Sequence, residues 1–505
     1  MRLIRQPDPN DSKSCPNPSS PISEGDRSRF PGPETGARIF FVGIGGISMS
    51  GLAELSQDYG YKVGGSDMHM SHRILLLEEK GIPVFVGHAA ENIQSFAPDL
   101  LVHTAAILPG NPEMEFAREN HIPVVSRAEF LGHLTRSFSS VINISGTHGK
   151  TTTTSMLSLI LIESGLDPTV HLGAEFEPFN GTVRLGADRS LLVSEACEYR
   201  RSFLSFRSTT AAITNIDYDH VDCFNNIREV IDVFAEFSDR IDDSGYLIIP
   251  AFDANSALCF EQIRARRDAT GRPMPQILTT GVEGDVFAPS GQYADIYAKN
   301  IVYRDGFPQF DVWDRDRFYA HVDLHVPGKH NIYNALTAIA CASVNGGTPE
   351  GAAEALTAFR GAEGRFTVKG KFRGATVITD YAHHPAAARA TLQAASQLLH
   401  NRTWVVFQPL TYNRTEKLFD DYVSSLLPCE HVIFSEIFSD REIDPGTISS
   451  SMIAEAINKQ GGHAEYYADK KDILKRLDSL VGKDDLVLFL GPEDIRDLAD
   501  DLKFD

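Results

Sequence analysis

The stretch SVINISGTHGKTTTTSMLSLILIES, residues 140–164, constrains the fold more than any other part of this chain. It begins as an apolar strand, passes through a loop with two glycines and ends as an apolar helix. The usual phosphate-binding loop reads G-x-x-x-x-G-K-[ST], which would need a glycine at position 144. Ile144 lies in the strand instead, and the first glycine is Gly146. We therefore expect a shortened phosphate loop between a strand and a helix of a parallel α/β sheet.

The residue types of this loop suit ATP phosphates and Mg2+. Glycines at 146 and 149 let backbone N–H groups approach phosphate oxygens without obstruction by side chains. The helix that follows directs its positive N-terminal end at the same anion. Lys150 can reach the β- and γ-phosphates, and the Thr151 hydroxyl can coordinate Mg2+. A plain strand-to-helix turn with a solvated lysine is the alternative, but the clear strand and helix on either side favour the phosphate loop.

Strand-like and helix-like segments alternate in three successive series, which predicts three α/β domains. Apolar runs such as RIFFVGIGG and LLVHTAAI belong to the first series, SLLVSEA and TTAAITNI to the second, and TWVVFQP and LVLFLGPEDI to the third. The predicted domains span residues 38–137, 138–362 and 363–505. Residues 1–37 are rich in proline, serine and charge, and are predicted to form a disordered tail.

Charge and composition exclude some classes of function. The formal net charge is −21, so a phosphate backbone would be repelled and general nucleic-acid binding is disfavoured. No apolar run approaches the roughly 20 residues that span a bilayer, so membrane insertion is not expected. The six cysteines form no C-x-x-C pair and no metal-ligand spacing, which favours a reducing, cytoplasmic location. The oligomeric state is not apparent from the sequence.

Two side chains at other strand ends are candidates for holding Mg2+ or a second metal. In open α/β sheets, ligands bind beyond the carboxyl ends of the strands. The strand in SLLVSEACEYRR ends at Glu195, and TTAAITNIDYDHVD places His220 shortly after its own strand. Each residue alone is typical of a loop, but a phosphate loop in the same sheet favours both as metal ligands.

A second glycine loop, FFVGIGGISMSGLAEL, lies in the first domain. Gly43, Gly45 and Gly46 separate a strand from a helix, but the dinucleotide fingerprint G-x-G-x-x-G has Ser48 in place of its third glycine. Asp67, at the end of the next strand, suits a ribose hydroxyl. An NAD-dependent dehydrogenase is the alternative, but it does not explain a second loop about 100 residues later. Two phosphate sites favour ATP together with a nucleotide-linked substrate.

Taken together, these motifs resemble those of the Mur ligases. GIGGISMSGLAEL, GTHGKTTT, SEACEYRRSFL, TNIDYDHVD, GKHNIYNALTAIA, DYAHHP and VFQPLTYNRT occur in the order of that family. The resemblance implies a Rossmann-like UDP-substrate domain, a central ATP-binding domain like a P-loop ATPase, and a Rossmann-like C-terminal ligase domain. It also implies that ATP activates the carboxylate of UDP-N-acetylmuramate as an acyl phosphate, which the amine of L-alanine attacks, in peptidoglycan precursor synthesis.

The resemblance also implies roles for individual residues. The UDP moiety would be bound by Gly43, Ile44, Gly45, Gly46, Ile47, Ser48 and Asp67. ATP would be bound by Gly146, Thr147, His148, Gly149, Lys150, Thr151, Thr152, His330, Asn331, Asn334, Arg365 and Asp380. Mg2+ would be held by Thr151, Glu195 and His220, and catalysis would depend on Lys150, Glu195, His220, His383 and Arg414. Tyr381, His383 and Arg414 would close over the muramoyl and amino-acid end, and either His220 or His383 could accept the proton of the amine.

The sequence departs from the family pattern mainly in the C-terminal domain. Leu410 stands where the family usually has His, Gly364 stands where an arginine pair is usual, and LGPEDI replaces a smaller turn. Because Leu410 offers only an apolar wall, Arg414 is the nearest predicted anchor for the acceptor carboxylate. A related ligase with a different amine or peptide acceptor is therefore an alternative, as is a non-catalytic UDP-sugar-binding relative. The retained Lys150 and Thr151 disfavour the second of these.

Overall fold

A computed structural model describes residues 30–107, 109–187, 189–439 and 442–505. Its three main sheets contain residues 38–126, 140–323 and 367–490, and helices pack against each of them. The predicted α/β fold class with three domains is confirmed.

The first domain is a five-stranded parallel sheet. Its strands are β1 (Arg38–Val42), β2 (Lys62–Asp67), β3 (Val84–Val86), β4 (Leu100–His103) and β5 (Val124–Ser126). Its helices are α1 (Ile47–Asp58), α2 (His72–Glu79), α3 (Ala90–Phe96), α4 (Pro112–Glu119) and α5 (Arg127–Thr135). The order β3-β2-β1-β4-β5 reverses its direction at β1, so the glycine loop after β1 lies at the topological switch point where open sheets bind ligands.

The middle domain is built on a ten-stranded mixed sheet. Its first strands are β6 (Ser140–Ser145), β7 (Thr169–Phe176), β8 (Gly181–Arg184), β9 (Leu191–Glu195), β10 (Ser208–Ile213) and β11 (Ile241–Pro250). They are followed by β12 (Gln276–Val282), β13 (Val286–Phe287), β14 (Gln292–Tyr293), β15 (Ile296–Arg304), β16 (Phe307–Asp314) and β17 (Arg317–Asp323). Its helices are α6 (Lys150–Glu163), α7 (Ile227–Asp239), α8 (Ala254–Thr270), α9 (Lys329–Ser343) and α10 (Pro349–Ala358). The order β17-β16-β15-β12-β11-β10-β6-β9-β7-β8 places the phosphate-loop strand β6 between β10 and β9, while β13 and β14 form a separate hairpin.

The C-terminal domain has a six-stranded sheet. Its strands are β18 (Thr367–Phe372), β19 (Ala375–Asp380), β20 (Thr403–Phe407), β21 (His431–Phe434), β22 (Ala464–Tyr466) and β23 (Leu486–Leu490). Its helices are α11 (Pro385–Ala395), α12 (Tyr412–Lys417), α13 (Phe419–Leu426), α14 (Ser450–Lys459), α15 (Lys470–Leu480) and α16 (Glu493–Arg496). The strand order is β18-β19-β23-β20-β21-β22, and only β18 pairs antiparallel with its neighbour.

The apolar cores show how the domains are joined. One core is continuous between the first two domains, because it contains Phe41 and Phe130 of the first together with Phe203 and Phe234 of the middle domain. Among the described residues, the two cores of the C-terminal sheet take one buried side chain, Val221, and the partly buried Tyr218 from outside that domain. The first two domains therefore pack as one apolar unit, and the C-terminal domain is joined to them with little apolar burial.

The predicted disordered tail is wrong for its last eight residues. Phe30 is 7% exposed, and its ring stacks on His133 with centroids 4.3 Å apart. Pro33–Thr35 form a 3-10 turn, and Ala37 is buried. Phe30 was missed because the segment around it is rich in proline and charge, but its side chain completes the core beside α5. Residues 1–29 lie outside the described part of the chain. None of the described helices combines the length and apolarity needed to cross a membrane.

Candidate active site

The phosphate loop connects β6 to α6 through two glycines that no other residue could replace without displacing a neighbour. Gly146 and Gly149 have φ values of +133° and +86°, a region that favours glycine. A β-carbon at 146 would lie 1.9 Å from Thr214 Oγ1, and one at 149 would lie 2.4 Å from Asn334 Oδ1. The loop is therefore folded tightly against the end of β10 and the start of α9.

Tertiary packing holds the helix that follows the loop. Four threonines follow Lys150 in α6, and threonine is a poor helix former, but nearly the whole helix is buried. The alanine-rich α9 packs beside it, and small side chains allow this close approach. At the start of α9, Asn331 Nδ2 donates to Pro327 O at 2.7 Å and Asn334 Nδ2 donates to Asn331 Oδ1 at 3.0 Å, while His330 is exposed. The helix can thus both pack the core and face a nucleotide.

Lys150 is held by three acceptors at the mouth of the loop. Its Nζ donates to the carbonyl oxygens of Gly146 and Thr147 and lies 3.1 Å from Glu198 Oε2. Burial alone would lower the pKa of Lys150, but the almost fully buried Glu198 raises it. The lysine is therefore a fixed ammonium group. Glu198 was not among the residues predicted from the sequence, although it lies three residues after Glu195 in the same motif.

Thr151 and Glu195 lie together, as the metal prediction requires. Thr151 Oγ1 donates to Glu195 Oε2 at 3.1 Å, and Gly173 N donates to Glu195 Oε1 at 2.6 Å. Burial raises the pKa of Glu195. Arg365 Nη2 donates to Thr151 Oγ1 at 3.4 Å, so an arginine of the C-terminal domain reaches the phosphate loop. Two hard oxygen donors beside a phosphate loop fit Mg2+.

His220 lies with a different carboxylate. Its Nε2 is 3.5 Å from Glu198 Oε1, and these two residues with Cys197 offer donor atoms within 4.8 Å of one another. Glu198 Oε1 and His220 Nδ1 are buried without a hydrogen-bond partner among the described residues. The predicted metal ligands are therefore divided between the Thr151–Glu195 pair and the group around His220.

A second histidine group lies between the middle and C-terminal domains. His148 of the phosphate loop, Asp217 and His384 bring donor atoms together, with His148 Nε2 3.6 Å from Asp217 Oδ2. Ala386 N donates to His384 Nδ1 at 3.2 Å, so the proton of the neutral ring is on Nε2. Burial lowers the pKa of His384 to about 4, which keeps the ring neutral at pH 7. His384 Nε2 is thus a hydrogen-bond donor in this arrangement and is not free to act as a metal ligand.

Arg414 is committed to a partner that sequence analysis did not identify. Its Nε and Nη2 lie 2.9 and 2.8 Å from Asp219 Oδ1, and the arginine is 2% exposed. This buried ion pair joins α12 of the C-terminal domain to the loop after β10. The prediction that Arg414 anchors an acceptor carboxylate does not fit this geometry, because Asp219 already occupies its guanidinium group. Leu410 contributes only its carbonyl oxygen, 3.4 Å from Arg414 Nη1.

Three further predicted site residues, Asp380, Tyr381 and His383, lie at the end of β19 and in the loop that follows it. Both oxygens of Asp380 accept backbone N–H groups, from Phe366 at 2.7 Å and Ala382 at 2.8 Å, so Asp380 shapes the loop. His383 Nδ1 donates to Tyr381 O at 2.8 Å, which leaves a lone pair on Nε2. Burial, helped by Arg414, holds the pKa of His383 well below its usual range, so the ring is neutral at pH 7.

The glycine loop of the first domain is ordered by its own hydrogen bonds. Asp67 Oδ2 accepts Gly45 N at 2.9 Å, and Gly45 O accepts Arg73 Nε at 2.9 Å. Gly46 caps α1 without a side-chain acceptor, so the amides of the first turn remain available to an anion. Ile44 is fully buried and supports the loop from below, and Ile47 begins the helix.

Arg127 lies beside the glycine loop of the first domain, and it was not among the residues predicted from the sequence. It is the first residue of α5, directly after β5, a position that the strand-end rule could have indicated. Its Nη1 donates to Ser48 Oγ at 2.9 Å, and Ser48 Oγ is 3.3 Å from His171 Nε2 of the middle domain. Burial lowers the pKa of Arg127, and Glu195 is among the groups that oppose the shift. A cation thus lies between the loop of the first domain and the predicted Mg2+ site.

The chain belongs to the Mur ligase family. Family profiles described as "Mur ligase family, catalytic domain", "Mur ligase middle domain" and "Mur ligase, glutamate ligase domain" match residues 38–139, 144–342 and 364–492. The family resemblance inferred from the motifs is therefore confirmed.

The chain is similar to individual ligases of this family, both in sequence and in structure. The UDP-N-acetylmuramate–L-alanine ligase of Clostridium acetobutylicum is 41% identical over 459 residues, which cover 91% of this chain and 95% of that protein. The crystal structure of the UDP-N-acetylmuramate–alanine ligase of Thermotoga maritima aligns with a TM-score of 0.75 and 27% identity, covering 92% of this chain and 98% of that one. A murein peptide ligase from Psychrobacter arcticus aligns with a TM-score of 0.67 and 26% identity, covering 92% and 98%.

Proposed function

We propose that this protein joins L-alanine to the carboxylate of UDP-N-acetylmuramate, with cleavage of ATP to ADP and phosphate. The observation that carries the proposal is the convergence of Lys150, Thr151–Glu195 and Arg365 from two domains on one phosphate loop. The similarity to ligases of that name over most of the chain supports it. The predicted ATP- and UDP-binding residues keep these roles as part of the proposal, as does the cytoplasmic location, which the five free cysteines of the described residues suit.

The first half-reaction transfers a phosphoryl group to the muramoyl carboxylate. The carboxylate oxygen attacks the γ-phosphorus, the bond to the β-phosphate oxygen breaks, and an acyl phosphate forms with ADP as the leaving group. Lys150 and Arg365 supply positive charge where it develops on the transferring group. Thr151 and Glu195 would hold Mg2+, which would neutralise phosphate charge when bound. Arg127 lies between this centre and the UDP loop, where it can orient the muramoyl carboxylate.

In the second half-reaction, the acceptor amine attacks the acyl carbon and phosphate leaves. The amine must lose a proton, and His383 is better suited than His220 to accept it. His383 is neutral and has its lone pair on Nε2, whereas the neighbouring Asp219 and Glu198, with Cys197, outweigh burial and raise the pKa of His220. His220 is therefore better placed as a charged or metal-binding group.

Phosphate release from the purified protein tests the proposal. The assay contains ATP, UDP-N-acetylmuramate and one acceptor: L-alanine, glycine, L-serine or a muropeptide-derived tripeptide. We expect release that depends on both UDP-N-acetylmuramate and L-alanine, with Lys150→Ala as the inactive control. Preference for the tripeptide would replace this function by that of a murein peptide ligase, and UDP-sugar binding without phosphate release would indicate a non-catalytic relative.

A further inference from the structure

Arg496 is the last residue of α16 in the C-terminal domain, and its guanidinium group occupies space that a side chain at position 364 would fill. A β-carbon at position 364 would lie 1.9 Å from Arg496 Nη1, and Gly364 has φ +67°, so glycine is favoured on both steric and backbone grounds. The guanidinium carbon of Arg496 is 5.4 Å from the ring centroid of Tyr381, and that of Arg365 is 5.0 Å from the same ring. Arg496 is therefore packed beside two residues of the active-site loops.

The guanidinium group of Arg496 has no hydrogen bond among the described residues, although it contacts the ring of Tyr381 and acts electrostatically on Asp380. Its Nε is buried without a hydrogen bond, and no carboxylate of the described residues forms an ion pair with it. Two other cations of the same domain already have carboxylate partners: Arg414 pairs with Asp219, and Lys470 pairs with Asp494. A buried donor without an acceptor is costly, so its retention beside a reaction site indicates an anionic ligand.

We propose that Arg496 binds the carboxylate of the acceptor amino acid. This inference rests on the proposed function and adds a subsite to it. Of the anions in the reaction, the phosphates face Lys150 and Arg365 at the phosphate loop, where Arg365 touches Thr151. The acceptor carboxylate cannot use Arg414, and Leu410 offers it no charge. A guanidinium group can hold a carboxylate through two parallel hydrogen bonds, which also orients the amine.

L-Alaninamide gives a direct test, because it keeps the amine and lacks the carboxylate. With wild-type protein, we expect the KM for L-alanine to be about 10- to 100-fold below that for L-alaninamide, the range for one charge-assisted interaction. In Arg496→Ala, this difference should disappear, while the KM values for ATP and UDP-N-acetylmuramate stay within about twofold of wild type. Arg496→Lys should restore part of the discrimination.

Two further variants control for structural effects. Gly364→Ala keeps the charge of Arg496 and displaces its guanidinium group. It should therefore selectively raise the KM for L-alanine, in the same direction as Arg496→Ala. Arg373→Ala removes an exposed arginine paired with Asp478 in the same domain and should leave all three KM values unchanged. Full discrimination between alanine and alaninamide in Arg496→Ala, or a rise confined to the KM for ATP, would overturn the inference. Absence of alanine-dependent phosphate release in the wild-type protein would instead overturn the proposed function.

Discussion

Replacing Arg414 by alanine removes one member of the buried ion pair that joins the C-terminal and middle domains. Asp219 Oδ1 would lose two donors, at 2.9 and 2.8 Å, and would keep the backbone N–H of His220 at 2.6 Å. Burial alone would raise the pKa of Asp219, but Arg414 and neighbouring histidines hold it well below its usual range. The pair therefore stabilises, at neutral pH, the closed arrangement in which the C-terminal domain lies against the middle domain. This contribution is lost only in acid, as the pH falls through the depressed pKa.

The expected magnitude follows from the burial of both partners. Removing one member of a buried ion pair costs about 3–5 kcal/mol, because the other charge stays buried and unpaired. The C-terminal domain shares little apolar core with the rest of the chain. Separation of the domains, which returns the unpaired Asp219 carboxylate to water, is therefore the response with the lowest free-energy cost. The closed-to-open ratio should fall by about 150- to 5,000-fold. Arg414→Ala should therefore lower kcat and not act on the acceptor KM alone.

Small-angle X-ray scattering and steady-state kinetics measure the two consequences. We expect a larger radius of gyration for Arg414→Ala than for wild type with ATP and UDP-N-acetylmuramate present, together with a large loss of kcat. Lys417→Ala is the matched control, because exposed Lys417 donates to Val221 O at 2.6 Å across the same interface, and its loss should cost about 1 kcal/mol. A closed scattering profile with a selective rise in the KM for L-alanine would refute this reasoning and restore Arg414 as the acceptor anchor.

Further predictions concern other parts of the chain. Lys150→Ala should abolish ligation and leave UDP-substrate binding measured by calorimetry nearly intact, since the glycine loop of the first domain is a separate site; equal loss of both would contradict this. Glu195→Ala should raise the Mg2+ concentration needed for half-maximal rate and lower kcat; an unchanged Mg2+ dependence would exclude that carboxylate as a ligand. Removal of residues 1–29 should leave activity unchanged, whereas Phe30→Ala should lower the free energy of unfolding by about 3 kcal/mol in urea titrations, because it leaves a cavity. Burial, with Arg127 nearby, lowers the pKa of His171 to about 4, so the unfolded chain binds a proton that the folded state excludes. Stability should therefore fall as the pH drops from 6.5 towards 4, by about 1.4 kcal/mol per unit for this residue, and His171→Gln should show a shallower decline of the melting temperature.

The parts of the site that could be predicted are those that short segments define. The strand, loop and helix around Lys150 follow from local periodicity and two glycines, and Glu195 ends its strand where the pattern predicts. Glu198 was missed because its partner depends on a backbone turn that no glycine marks. Arg200 and Arg201, two and three residues after Glu198, adopt φ values of +49° and +56°, so the backbone turns just after the carboxylate that contacts Lys150.

The sequence by itself determined the three α/β domains, the two glycine loops and the family to which they belong, because alternation of apolar runs and loop residues is a local property. Only the tertiary structure decided which charges pair. Arg414 contacts Asp219 across 195 positions of the chain, and Arg496, at the end of α16, occupies the space beside Gly364. A buried charge must find a counter-charge or a ligand, but its identity depends on how separate domains pack, which no local pattern encodes.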